Sequence, residues 1–157
     1  MEDWREIYEK ESGFVFKFIY GAVQNKNDAE DILQETFYRA MKRGKKNIKN
    51  MRGYLLRIAR NIIYDSWKSR RRMSEYIKEE KRVDNYHPED IETKIEIQKS
   101  IKKLHPDFRT VFVLREINGM SYEEIAVALR LPVGTVKSRL NRARLALRET
   151  LRRKVEL

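Results

Sequence analysis

SYEEIAVALRLPVGTVKSRLNRAR, Ser121 to Arg144, holds a helix start, a stop and a second start in close succession. Ser121 and Glu124 have the spacing of a capping box, in which the hydroxyl accepts from an early backbone N–H and the carboxylate reaches back to the cap. The pattern predicts a helix from Tyr122, with Ile125, Ala126 and Leu129 on one face. Ala126 is small where a second helix has to cross closely. Arg130-Leu131-Pro132 then breaks the helix, because proline fixes φ and cannot continue the hydrogen-bond ladder. Arg130 falls where many such turns use glycine to reach positive φ, at a cost on the order of 1 kcal/mol for a side chain. A second helix begins near Val133 and buries Val136 and Leu140. Its other face carries Lys137, Ser138, Arg139, Asn141, Arg142 and Arg144. An amphipathic pair in any bundle can show a charged, solvated face. The cap, the small alanine, the turn and the basic, amide-bearing second helix together point instead to a helix-turn-helix made for the DNA major groove.

The rest of the composition agrees with an acidic partner. The chain has 157 residues, a formal net charge of +11 and a pI of about 9.8, which favours nucleic acid first and an anionic membrane surface second. With no cysteine, disulfides, thiolate-bound zinc and a thiol nucleophile are excluded. The start, MEDWREIYEK, is charged, and no apolar run approaches the roughly 18 residues of a membrane span, so a cytoplasmic location is expected. Glycine and proline are sparse and the apolar period is helical throughout, which makes the fold all-α.

In the N-terminal half, Trp4, Ile7, Tyr8, Phe14, Val15, Phe18, Ile19 and Ala22 recur at helical spacing, with Ser12-Gly13 a possible bend. Asn27, with Glu30 three positions on, is expected to cap a second helix from about Asp28 to Lys42. Ala29, Ile32, Leu33, Thr36, Phe37 and Ala40 fall on its buried side. Asp28 and Glu30 complement the helix dipole. Asp31, Gln34, Glu35 and Tyr38 instead form an acidic and amide patch on an otherwise basic chain, suited to a protein partner because it repels DNA. After the basic loop GKKNIKN, closed by Asn50 as a cap, a third helix from about Met51 to Arg71 buries Leu55, Ile58, Ala59 and Ile62. Arg57, Arg60, Asn61, Tyr64, Asp65, Trp67 and Lys68 lie on or near its outer side. Cations interleaved with Tyr54, Tyr64 and Trp67 suit a single strand, whose phosphates they hold and whose bases stack at about 1–3 kcal/mol each. A snorkelling basic face, with Trp67 in the core at a domain edge, fits the same residues.

Residues 73–93 are acidic on balance, lack sustained apolar periodicity and read as a flexible linker. They divide the chain into two small helical domains, 1–72 and 94–157. The second opens with a helix of about Glu89 to Leu104, burying Ile91, Ile95, Ile97 or Gln98, and Ile101. Pro106 or Asp107 begins the next, which buries Val111, Phe112, Leu114 and Ile117 before Asn118-Gly119 ends it. The last helix runs on to about Arg153, packed by Leu145, Leu147 and Leu151. His87 and His105 have no partner at metal-ligand spacing, so neither a metal nor a cofactor is expected.

Three stretches in order carry a family resemblance: DAEDILQETFYRAMKR, MRGYLLRIARNIIYDSWKSRRR and LHPDFRTVFVLREINGMSYEEIAVALRLPVGTVKSRLNRARLALRETL. Together the sequence resembles a bacterial RNA polymerase sigma factor of the extracytoplasmic-function group. The resemblance implies a region 2 domain of three or four helices over 1–72, the linker 73–93, and a region 4 helix-turn-helix domain over 94–157. It implies that Asp31, Gln34, Glu35 and Tyr38 face the clamp of core RNA polymerase, with the flap as a further contact. Asn61 and Asp65 match positions that contact −10 bases. The loop Lys45, Lys46, Asn47, Lys49 and Asn50 matches one that holds a base flipped from the melted strand, where no pairing has to be broken. Lys137, Ser138, Arg139, Asn141 and Arg142 match −35-reading positions, with arginine the natural bidentate reader of guanine. Tyr54 stands where many members carry tryptophan. The partners implied are core polymerase, promoter DNA that is duplex at −35 and melted at −10, and an anti-sigma factor, with no stable homo-oligomer. A stand-alone helix-turn-helix regulator is the competing reading, but the N-terminal half has no strand pattern for a receiver or ligand domain. A nuclease or recombinase lacks its carboxylate cluster or histidine pair.

Overall fold

A computed structural model of the chain describes the backbone of residues 2–74 and 89–155, and the side chains of 2–70 and 94–153. Most of the stretch read as a linker, including His87, lies outside the described residues. The described residues form seven helices: α1 (Trp4–Val23), α2 (Lys26–Arg43), α3 (Met51–Ser74), α4 (Glu89–Lys103), α5 (Pro106–Glu116), α6 (Tyr122–Leu129) and α7 (Val133–Val155). No described residue is in a strand.

Asp3 opens α1 with a capping box to Glu6, and the helix runs without a break through Ser12 and Gly13, where a bend was expected. Gly13 faces open space. Ile7, Glu11, Val15 and Phe18 on either side of it are buried and hold the helix in place. The carboxylate of Glu11 is buried but paired, accepting from Arg52 Nε at 2.7 Å, while the Arg52 guanidinium lies 3.9 Å from the Phe14 ring centre. Gln24 ends α1 in the left-handed region. The cap of α2 is Asn25, not Asn27: its side chain accepts from the Asp28 N–H at 3.0 Å, so the helix begins two residues early. The buried side of α2 is the expected one, Ala29, Ile32, Leu33, Thr36, Phe37 and Ala40. In α3 Leu55, Ile58 and Ala59 are buried as expected; Leu56 and Ile63 join them, and Ile62 is only half-buried.

Helices α1, α2 and α3 pack on one another, and α5, α6 and α7 do the same with α4 laid across α7. The two groups touch. Helix α1 rests on α5, α3 on α6, and the buried residues form a single apolar cluster. Each fully buried leucine, isoleucine or phenylalanine in it contributes about 1.5–3 kcal/mol over its exposed state. Val113, fully buried, was missed because it faces α1, across the chain rather than within its own half. Some positions expected to pack do not: on α4 both Ile97 and its alternative Gln98 are exposed, and Leu145 on α7 is 60% exposed. On α7 the buried ridge is instead Val136, Leu140, Ala143 and Leu147, spaced three and four apart on one helical face.

Candidate nucleic-acid interface

The helix-turn-helix forms as its sequence requires. The Ser121 hydroxyl accepts from the Glu124 N–H at 3.1 Å, and Glu124 accepts from the Ser121 N–H at 3.0 Å. These bonds hold the Glu124 carboxyl below the usual range. Arg130 takes the left-handed conformation, φ 56 and ψ 49, and its N–H is shared between the Ala126 and Val127 carbonyls. Leu131 closes the turn with a bond from its N–H to the Ala126 carbonyl at 2.9 Å. The ridge of α7 packs on α5 and α6, which turns Lys137, Ser138, Asn141 and Arg142 out to solvent and leaves Arg139 half-buried. Arg144 is set apart from this group. It donates to Glu116 at 2.9 Å, and that bond with one to Tyr122 raises its affinity for its proton.

The loop before α3 is also built as expected at its end, where Asn50 accepts from the Gly53 N–H at 3.0 Å. Asn47 sits at positive φ and is exposed, as are Lys46 and Lys49. Lys45 is drawn away, donating to the Glu2 carbonyl and lying 5.4 Å from the Trp4 ring centre. On α3, Asn61, Asp65 and Lys68 are exposed, while Arg57, Arg60, Tyr64 and Trp67 are half-buried. On α2, Asp31 and Gln34 are exposed, Tyr38 is 61% exposed, and Glu35 pairs with Arg39 at 2.8 Å one turn on.

Three of the residues expected to meet a single strand are engaged with the C-terminal half instead. Arg57 donates to the Ala128 carbonyl at 2.6 Å. The Tyr64 hydroxyl lies 3.1 Å from Asp107 and 2.9 Å from the Thr110 hydroxyl. Burial, with Asp107 beside it, pushes the phenol up to about 12 despite the bond to Thr110. Trp67 stacks on Tyr64 with ring centres 5.6 Å apart, and the Arg109 guanidinium lies 4.0 Å from the Trp67 ring centre. Arg109 went unnoticed in the sequence, yet it is the buried cation of this junction. It donates to Ala22, Lys102 and Leu104 carbonyls, and burial lowers it to about 10. Arg43 and Arg130 were also missed as neighbours of the loop. With Lys46, Lys49 and Arg57 they line a cleft of about 580 Å³ that no carboxylate enters. The run Arg43 to Lys46 signalled the first of these; nothing local signalled the second. Among the described residues no group of three His, Asp or Glu side chains could hold a metal ion, and no helix is long and apolar enough to cross a membrane.

The described residues are thus all-helical, with a helix-turn-helix, a basic aromatic helix and an acidic patch. Comparisons with known proteins give the family. The family model for sigma-70 region 2 matches residues 7–73 and that for sigma-70 region 4 matches 94–147. The ECF RNA polymerase sigma factor SigE of Mycolicibacterium smegmatis is 35% identical, over 96% of this chain and 62% of its own length. SigW of Bacillus subtilis is 34% identical, over 88% of this chain and 83% of its own. The chain thus spans less than two thirds of the mycobacterial relative and most of the bacillar one. Among solved structures, the sigma factor RpoE in complex with the anti-sigma factor NepR from Bartonella quintana superposes with a TM-score of 0.69 at 25% identity, covering 97% of this chain and 98% of that one. The chain belongs to the sigma-70 family, in its extracytoplasmic-function group.

Proposed function

We propose that the chain binds core RNA polymerase, directs it to −35 and −10 promoter elements and assists promoter opening. The observation that carries this reading is the solvent-facing row Lys137, Ser138, Asn141 and Arg142 on α7, in a chain whose family is that of initiation factors. Arg139 belongs to the same −35-reading set, and Arg144 beyond it contacts the DNA backbone once its bond to Glu116 gives way. Polymerase is held by Asp31, Gln34, Glu35 and Tyr38, a patch whose Asp31 and Glu35 carboxylates repel DNA and so keep that face for protein. The melted −10 strand is held by Lys45, Lys46, Asn47, Lys49 and Asn50 and by the α3 face of Arg57, Arg60, Asn61, Tyr64, Asp65, Trp67 and Lys68. In this reading residues 1–72 and 94–157 act as two readers on the tether 73–93, and polymerase fixes their span, which raises affinity without new contacts. Each reader alone binds weakly and with steep salt dependence. The role needs no bond-making chemistry, so the chain is not an enzyme. It works in the cytoplasm, where its polymerase is. A solved relative with an anti-sigma factor bound supports such a partner here.

The test is co-elution of the chain with bacterial core polymerase at moderate salt without DNA. A stoichiometric complex is expected. Glu35→Lys should abolish it with little loss of stability, because the half-buried i,i+4 Glu35–Arg39 pair contributes about 0.3–0.5 kcal/mol. A folded chain that does not co-elute would return the stand-alone regulator to first place.

A further inference from the structure

Cations from four parts of the chain meet at one cleft. Arg43 ends α2, Lys46 and Lys49 stand in the loop before α3, Arg57 lies on α3, and Arg130 forms the turn between α6 and α7. The cleft they line, of about 580 Å³, falls within the roughly 300–1,000 Å³ usual for small-ligand sites. Elsewhere on the chain Arg39, Arg52, Arg70 and Arg144 each hold a carboxylate. Among the described residues none of the five cleft cations does, and the lining contains no Asp or Glu.

Gathering like charge is unfavourable, so the backbone has to hold it. Gly21 in α1 and Gly53 in α3 sit inside helices, where glycine is less favourable than alanine because it loses more freedom on folding. A Cβ at Gly21 would stand 2.8 Å from Val113 Cγ1, and one at Gly53 would stand 3.0 Å from Ala128 Cα and 3.2 Å from its carbonyl oxygen. Both glycines make room for the other half. At Gly53 the close approach, with Arg57 donating to the Ala128 carbonyl at 2.6 Å, sets the end of α6 beside α3 and makes Val127 and Arg130 part of the cleft wall.

Arg130 is the member that stability alone would not select. Its φ of 56 is one that glycine reaches without steric cost. Burial, then the charges of Arg130 and Arg60, loosens the proton of Arg57. The Arg130 side chain is therefore unfavourable twice, through its backbone and through its charge. A residue held in such a conformation is grounds for a functional hypothesis. A ligand with several negative charges would offset both. Phosphate suits the three arginines, whose planar forks pair its oxygens two at a time. A single carboxylate would leave most of the charge unmet.

We propose that this cleft binds a free oligophosphate, a short phosphate chain such as that of a nucleoside triphosphate, held by Arg43, Lys46, Lys49 and Arg57 on one side and Arg130 on the other. The phosphates of a melted DNA strand share this chemistry and, in the reading given above, the same loop. Arg130 separates the two ligands, because it belongs to the half that this reading does not assign to the −10 strand.

The probe is inorganic triphosphate, titrated by calorimetry at one fixed low salt concentration without divalent metal. One triphosphate per chain is expected, with inorganic phosphate binding far more weakly. Arg130→Ala and Arg130→Gly should each weaken triphosphate binding about tenfold, the order of one charged hydrogen bond. Both variants should stay folded, since Arg130 is exposed. Lys17→Ala removes an exposed cation of α1 that lies outside the cleft, and should leave triphosphate binding unchanged. A labelled mixed-sequence DNA strand of about 16 nucleotides, followed by fluorescence anisotropy, should lose less than about twofold in affinity with Arg130→Ala. No triphosphate binding, phosphate bound as tightly as triphosphate, or equal losses from Arg130→Ala and Lys17→Ala would each overturn the proposal. So would a strand weakened by Arg130→Ala as much as triphosphate is, since the cleft would then be part of the strand's path. The α3 reading stands or falls separately, on whether the strand binds at all.

Discussion

Arg130→Gly should make the protein more stable. Arg130 holds φ 56 and ψ 49 to let the chain turn between α6 and α7, a conformation that costs an L-residue about 1–2 kcal/mol. Glycine removes that cost but adds freedom to the unfolded chain, giving back about 0.4–1 kcal/mol. A further small gain comes from charge, because Arg130 is one of the groups that, after burial, loosens the proton of Arg57. Arg130 is exposed, so that part is worth at most about 0.5 kcal/mol and is screened by salt. The net is about 1 kcal/mol, or a rise of roughly 2–4 °C in Tm for a chain of this size. Calorimetry at low salt and again near 0.5 M salt, where the Debye length falls below about 5 Å, separates the two contributions. Arg130→Ala is the control: it removes the charge and keeps the strain, so it should gain little. If the glycine variant melts at or below the parent temperature, the left-handed turn carries no strain and the account of Arg130 is wrong.

Ser121→Ala removes the cap of α6 and should cost about 1 kcal/mol in urea denaturation; the Glu124 carboxyl, now held low by Ser121, should titrate nearer its ordinary range by NMR. Tyr64 should ionise near 12 in an ultraviolet titration read as the difference from Tyr64→Phe, against about 10 for an ordinary tyrosine. In that window the unfolded phenol has lost its proton and the folded one has not, so Tyr64 makes stability fall as pH rises. Arg109, lowered to about 10, does the opposite, since its folded form sheds the proton first. The two slopes oppose each other in the parent, and Tyr64→Phe should turn the slope of the urea midpoint with pH upward. Arg142→Ala should reduce discrimination between −35 duplexes by about 1–3 kcal/mol in competition titrations while polymerase association is unchanged; unaltered −35 preference would remove Arg142 from the reading row.

Features carried by neighbouring residues were legible in the sequence. The Ser121–Glu124 box, the left-handed Arg130, the Asn50 cap and the buried face of α2 depend on spacings of three or four residues, and all formed. The cap of α2 was placed two residues late because Asn25 and Asn27 are both good caps. Only their surroundings distinguish them, with Gln24 already left-handed just ahead. Leu145 looked like packing for α7, but the ridge that meets α5 and α6 runs through Ala143 and Leu147 instead. The junction of the halves was not legible, since Tyr64 and Thr110, or Arg57 and Ala128, are distant along the chain. Glycines inside amphipathic helices were its one local trace. On the α3 face the sequence left two readings open for Trp67, core and base platform. In the structure it is neither free nor fully buried.

The continuity of one apolar core through both halves has a consequence for how long the protein lasts. Each half is small enough that its own core supplies only a few kcal/mol, about 3–5 at this size. When the halves part, Val113, Ile117 and the Ala128 region lose their cover and what remains on each side is thinner. An opened chain that finds no larger partner is thus the form most exposed to proteases and to aggregation. Any separation of the halves would therefore shorten the lifetime of the chain.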